Sequence, residues 1–161
     1  MQRAGLDGNA VCDWRLTEPK EGQPERPWQG IGLRAHLVGE GEELIACDGP
    51  VQHYKYLPER VKFVLRRRTG EDLSSVFVTV FEPYQDNTWI RRVTGVSVQP
   101  DDGQAAAALI ELEGGGRHYL FHALTPDRSY TLDGGVQVAG QAACLALDAG
   151  GRPEKAMLLN G

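Results

Sequence analysis

From Trp28 onward the chain is cut at short intervals by turn-forming groups. These are Asp48-Gly49-Pro50, Thr69-Gly70-Glu71-Asp72, Gln85-Asp86-Asn87, Asp101-Asp102-Gly103, Gly114-Gly115-Gly116, Asp133-Gly134-Gly135 and Asp148-Ala149-Gly150-Gly151. The runs left between such breaks suit strands better than helices, which gain stability only over several turns. Their side chains agree. Ile31, Leu33, Ala35 and Leu37 alternate with Gly32, Arg34 and His36, and Val61, Phe63 and Leu65 lie on one side with Lys62, Arg66 and Arg68 on the other. Alternation of that kind marks a strand with one buried face.

Further runs follow at Glu43–Cys47, Leu73–Phe81, Trp89–Val98, Ala105–Glu113, His118–Leu124, Ser129–Leu132, Val136–Val138, Ala142–Leu147 and Ala156–Leu159. Leu73–Phe81 is apolar on both sides, which predicts a central strand covered on both faces. Ala105–Glu113 could be helical on propensity, but its brevity and its flanking turns favour a strand. About ten short strands with no amphipathic helix predict an all-β fold, an antiparallel two-sheet β-sandwich spanning residues 28–161. Residues 1–27 read as a loop or linker, with Pro19, Pro24 and Pro27 in close order and one possible edge strand at Val11–Leu16.

Composition narrows the class. The 161 residues are 41% hydrophobic and 24% charged, enough for one soluble globular domain with its own core. No apolar run reaches the ~20 residues that span a bilayer. The opening MQRAGLDGNAV has no apolar core of a secretion signal, and the compartment stays open. A net charge of −5 argues against a nucleic-acid partner. Cys12, Cys47 and Cys144 are widely spaced, which suits three reduced thiols, or one bridge and a free cysteine, better than a disulfide framework or a zinc site.

No catalytic, metal or cofactor motif stands out. His118 and His122, four residues apart on a strand, are separated by about 13 Å, too far to share a metal; on a helix they would form a ligand pair. His36 and His53 are isolated. Asp101, Asp102 and Asp133 sit in turns, where aspartate is favoured for local hydrogen bonding, with calcium binding as the alternative. No serine lies in a nucleophile elbow, and neither Gly30-x-Gly32 nor Gly39-x-Gly41 completes a phosphate loop.

Charge distribution is more informative. Between Arg60 and Arg92, seven basic residues (Arg60, Lys62, Arg66, Arg67, Arg68, Arg91 and Arg92) face four acidic ones, a surplus of three in an acidic chain. Tyr54, Tyr56, Tyr84 and Trp89 flank them. Guanidinium groups bind carboxylate and sulfate through paired hydrogen bonds, and aromatic rings offer a flat face to a sugar. Arg66, Arg68, Arg91, Tyr54, Tyr56 and Trp89 are therefore the candidate carbohydrate-binding residues. The alternative is a solvated strand face whose arginines pair with acids across the sheet.

The segment VKFVLRRRTGEDLSSVFVTVFEPYQDNTWIRRVTGVSV, with its R-R-R-x-G, F-V-T-V-x-E-P-Y and I-x-x-V elements, resembles the C-terminal β-sandwich of heparinase II/III-type polysaccharide lyases and their alginate-lyase relatives. GGGRHYLFHA and LDAGGRPEKAMLLNG extend the likeness. The resemblance implies enzymes that cleave uronate polysaccharides by β-elimination, with most catalytic residues on an N-terminal α/α toroid. No toroid is present in this sequence. The one adjacent Tyr/His pair, His53-Tyr54, would point to opposite faces of a strand. No catalytic residue is carried over. The expected function is a non-catalytic sandwich that binds or presents acidic polysaccharide. The alternatives are one part of a lyase that acts with a missing toroid, or a purely structural domain. Expected partners are the polysaccharide, a toroid unit or a second copy.

Overall fold

A computed structural model describes residues 2–15, 30–50 and 60–160. The described residues are all-β, in antiparallel sheets and without a helix. Twelve strands form: β1 (Gln2–Arg15), β2 (Ile31–Pro50), β3 (Arg60–Arg67), β4 (Val78–Gln85), β5 (Ile90–Val96), β6 (Val98–Gln99), β7 (Ala105–Leu112), β8 (Arg117–Ala123), β9 (Ser129–Leu132), β10 (Val136–Ala139), β11 (Ala142–Leu147) and β12 (Pro153–Leu159). They make three sheets where the sequence predicts two. One is five-stranded in the order β12-β11-β8-β7-β5, and one is three-stranded in the order β10-β9-β6. The third is built around β2, with β1 on one side and β4 and β3 sharing the other.

The five-stranded sheet is the middle layer. Alternation sends Ala107, Phe121 and Ala123 to one face, where they meet Val98, Tyr130 and Leu132 of the small sheet. Phe121 and Tyr130 contact ring to ring with centroids 5.3 Å apart. Its other face presents Ile90, Val93, Ala108 and Ile110 to Val38 of β2, with Val78 and Val80 of β4 alongside. Trp89–Val98 is not one strand as expected. It breaks at Ser97, and Val98–Gln99 crosses to the small sheet.

The strand buried on both sides is β2, not Leu73–Phe81. Ala35, His36, Leu37 and Val38 are all buried in succession. β4 pairs only with β2, starts at Val78, and leaves Phe81 59% exposed. Because β4 has one free edge, Pro83 sits inside it without breaking a ladder. The expected separate strands at Ile31–Leu37 and Glu43–Cys47 are one element, and Asp48-Gly49-Pro50 lies in the strand rather than in a turn. The join is a bulge in which Glu40 and Gly41 oppose Asp7 alone. Gly41 takes φ +63° there, and its amide donates to Asp7 Oδ1 at 3.2 Å.

β1 begins at Gln2, well before the expected Val11. Gly5, Asp7, Gly8 and Asn9 give it low strand propensity, so the ladder to β2 and the buried Leu6 hold it. Leu6, Ala35 and Leu37 cluster with Cys12, Trp14, Leu44 and Val64, which come from both sides of the bulge. The β1–β2 sheet therefore bends over on itself at that point.

A buried carboxylate ties the two large layers together. Glu82 of β4 is fully buried, and its Oε1 accepts the amides of Trp89 (2.5 Å) and Ile90 (2.7 Å) where β5 begins. Its Oε2 lies 2.9 Å from Nε2 of the buried His36 on β2. Burial opposes ionisation of Glu82, yet the His36 contact and the two amides outweigh it and hold the carboxyl below its usual range. A carboxyl with a depressed folded-state pKa contributes stability in full above its unfolded pKa, and that stability fades as pH falls through the folded value. Glu82→Gln should therefore lower the urea midpoint at neutral pH. It should also flatten the decline of that midpoint below pH ~4.5 relative to the parent chain. Parallel acid titrations of both proteins under urea check this, and equal acid sensitivity would contradict it.

Candidate functional site

The structure turns Arg66 and Arg68 toward a buried carboxylate and leaves Arg91 at the surface. Arg66 on β3 turns its guanidinium into the gap where β3 and β4 diverge along β2, and its side chain is 9% exposed. All five N–H donors are engaged. Nε reaches Glu42 Oε2 at 2.7 Å, Nη2 reaches Glu42 Oε1 at 3.0 Å and the Val38 carbonyl at 2.7 Å, and Nη1 reaches the Val78 carbonyl at 2.6 Å and Thr79 Oγ1 at 2.9 Å. Arg68 donates from Nη2 to the same Glu42 Oε1 at 2.9 Å. Both guanidiniums lie over the Phe77 ring, at 5.1 and 5.5 Å. Glu42 is fully buried. Arg66 has no donor left for a sugar, which corrects its expected role. Arg68 is bound to the same carboxylate.

Arg91 is exposed and pairs with Glu111 across β5 and β7 at 2.7 Å. Trp89 gives its backbone amide to Glu82 and leaves its ring half exposed. Neither lines the cleft described below. Tyr54 and Tyr56 lie outside the described residues, as does His53. His118 and His122 stand four residues apart on β8, opposite Ala146 and Ala142. Asp102 accepts the Gln104 amide and pairs with Arg128, and Asp133 binds Ser97. Among the described residues no three His, Cys, Asp or Glu side chains converge as a metal site.

What the bend creates is an open cleft of about 780 Å³. Gln2 and Trp14 would stand roughly 40 Å apart on a straight strand, yet both line it. One wall carries Cys12, Asp13 and Trp14 of β1. The other carries Ala46, Cys47 and Asp48 of β2 with Arg60, Lys62, Phe63 and Val64 of β3. The Phe63 ring lies across Gly49, where a Cβ would come within 2.4 Å of it, and the ring is 42% exposed. Any side chain at position 49 would displace the ring. The ring therefore stands on the opposite face of β3 from Arg60 and Lys62, because successive strand side chains alternate.

Two cations and two carboxylates line the cleft, Arg60 and Lys62 against Asp13 and Asp48. Lys62 Nζ pairs with Asp48 Oδ1 at 2.5 Å and, as the main cause, holds that carboxyl below its usual range. Arg60 donates to the Asp48 carbonyl at 3.2 Å. Asp13 accepts from Tyr84 Oη at 2.5 Å and pairs with Arg34 and Arg15 at 2.9 and 3.5 Å. The Tyr84 bond contributes most to lowering its pKa. The hydrogen bond to Asp13 raises the Tyr84 pKa, the wrong direction for a proton-abstracting phenolate. Burial likewise pushes the Cys12 thiol up, away from a nucleophilic thiolate. Sequence reasoning missed Trp14 because it read Val11–Leu16 only as a possible edge strand of a linker. The proximity of Gly49 to the Lys62-Phe63 pair appears only once the β2–β3 register is known.

Comparison with protein-family models, with curated proteins and with solved structures finds no match. The lyase-like resemblance therefore rests on the residues quoted for it.

Removing Arg66 should read out as lost stability rather than as a lost ligand contact. Arg66→Ala strands the buried Glu42 and the Val38 and Val78 carbonyls and should cost about 3–5 kcal/mol. Arg91→Ala breaks an exposed pair and should stay within about 1 kcal/mol. Chemical denaturation of the two variants decides; equal losses would refute the structural role given to Arg66.

Proposed function

We propose that this chain is a non-catalytic β-sandwich that binds acidic polysaccharide, uronate-bearing or sulfated, in the cleft lined by Trp14, Arg60 and Lys62. The observation that carries the reading is the Trp14 ring on one wall of the cleft with Lys62 and Arg60 on the other. A sugar ring stacks on such a face, while its carboxylate or sulfate meets the ammonium and guanidinium groups. The heparinase-like likeness of the β3–β5 region supports the same ligand class. The binding surface differs from the one expected, since Arg66 is consumed by the fold and its neighbours on β3 take the role.

A second reading makes the chain one part of a polysaccharide lyase, packed against a catalytic unit. The outward row Trp14–Leu33–Pro83, in register across β1, β2 and β4 and flanked by the exposed Phe81, favours it, because an apolar sheet face suits burial against a neighbour. Under both readings the isolated chain makes no unsaturated uronate.

Titration with alginate and with a sulfated glycan at two salt concentrations tests the main reading. Trp14→Ala should weaken binding roughly tenfold, equivalent to about 1.4 kcal/mol. Lys62→Ala should weaken it less and reduce its salt dependence. Undiminished binding by Trp14→Ala would move the site elsewhere. Ultraviolet detection of unsaturated product from the pure chain would overturn the non-catalytic assignment.

A further inference from the structure

β12 forms the outer edge of the five-stranded sheet, pairing with β11 on one side only. Among the described residues nothing pairs with its other side, whose backbone N–H and C=O groups form the template on which another strand adds. Edge strands are normally blunted by charge, proline or brevity. The other edges here follow that rule: β1 bears Arg3, Asp7 and Asp13, β5 bears Arg91 and Arg92, β4 contains Pro83, and β10 has four residues. β12 does not. From Ala156 to Leu159 it has no charge, no proline and no bulge, and Met157, Leu158 and Leu159 are 61%, 55% and 54% exposed.

Alternation puts Met157 and Leu159 on one face of the sheet and Ala156 and Leu158 on the other. A layer docked on either face would cover only half of this apolar surface. A strand added at the edge covers both. We infer that the added strand is β12 of a second copy, antiparallel across a two-fold axis at Met157, joining two five-stranded sheets into one of ten.

The register follows from the sequence. Centring on Met157 places Met157 against Met157 and Ala156 against Leu158, with Lys155 against Leu159 at each margin, and every paired residue lies within β12. Centring two residues earlier opposes Lys155 to Lys155, which is repulsive. An axis at Ala156 opposes Lys155 to Met157 and Glu154 to Leu158. An axis at Leu158 reaches into Asn160, whose φ of +52° has already left the strand. Five paired residues bury less than the ~1,600 Å² of a standard interface, so the dimer is weak, with a Kd on the order of 10–100 µM. It uses none of the cleft residues and stands apart from the glycan reading.

Sedimentation equilibrium from about 5 to 500 µM should show a monomer–dimer equilibrium for the parent chain over that range. Met157→Glu and Met157→Lys should each remain monomeric, since each sets like charges face to face. Their equimolar mixture should recover a dimer through the opposed pair. Met157 is exposed, so both variants should keep the parent's melting curve, which circular dichroism checks. A parent chain that stays monomeric throughout, single variants that still dimerise, or a mixture that does not pair would each overturn the inference.

Discussion

The fold turns on the ion pair between Arg66 and Glu42. β2 gives one edge to β4 over its first half and to β3 over its second. Where one partner leaves and the next arrives, the Val38 and Val78 carbonyls lose the ladder that would satisfy them. A planar guanidinium with five donors fills that gap, and a buried carboxylate offsets its charge. The bend at the neighbouring bulge and the cleft beneath it both depend on this junction staying closed. Glu82 plays a comparable part between layers, collecting two amides at the start of β5 and the ring nitrogen of His36.

The basic cluster thus divides by depth. Arg66 and Arg68 are spent on one carboxylate inside the protein, Arg91 is paired at the surface, and Arg60 and Lys62 remain at the cleft. A positive run in sequence reports an excess of charge. It does not report which charges face solvent, because that depends on partners brought from elsewhere in the chain.

Legibility of the fold tracked locality. β9 and β11 match the sequence reading residue for residue, β7 and β10 differ by a residue at one end, and β8 is shifted by one residue, since each belongs to a series of short antiparallel links punctuated by glycine-bearing turns. The first half was harder. β1 has little strand propensity of its own and is held by a partner some thirty residues on, in the pairing of Cys12 with Ala35 and of Gln2 with Ala46. β4 pairs back to the beginning of β2 rather than to its neighbour β3, so its apolar run looked central when it lies at an edge. The cleft was legible only as separate parts. Trp14 and Lys62 line one cleft because the sheet bends, and no period in the sequence announces a bend.

The bulge at Glu40–Gly41 has a consequence for how chains of this kind can diverge. It reverses which of the odd and even positions face the same side, so Ala35 and Leu37 share a cluster with Leu44 rather than with Ile45. Losing one residue at this point would rotate the remainder of β2 by half a turn relative to β3, sending Ile45 where Leu44 belongs. Insertions and deletions elsewhere in the surface turns leave the facing pattern intact. The spacing between Leu37 and Leu44 should accordingly be among the least variable lengths in any lineage that shares this architecture.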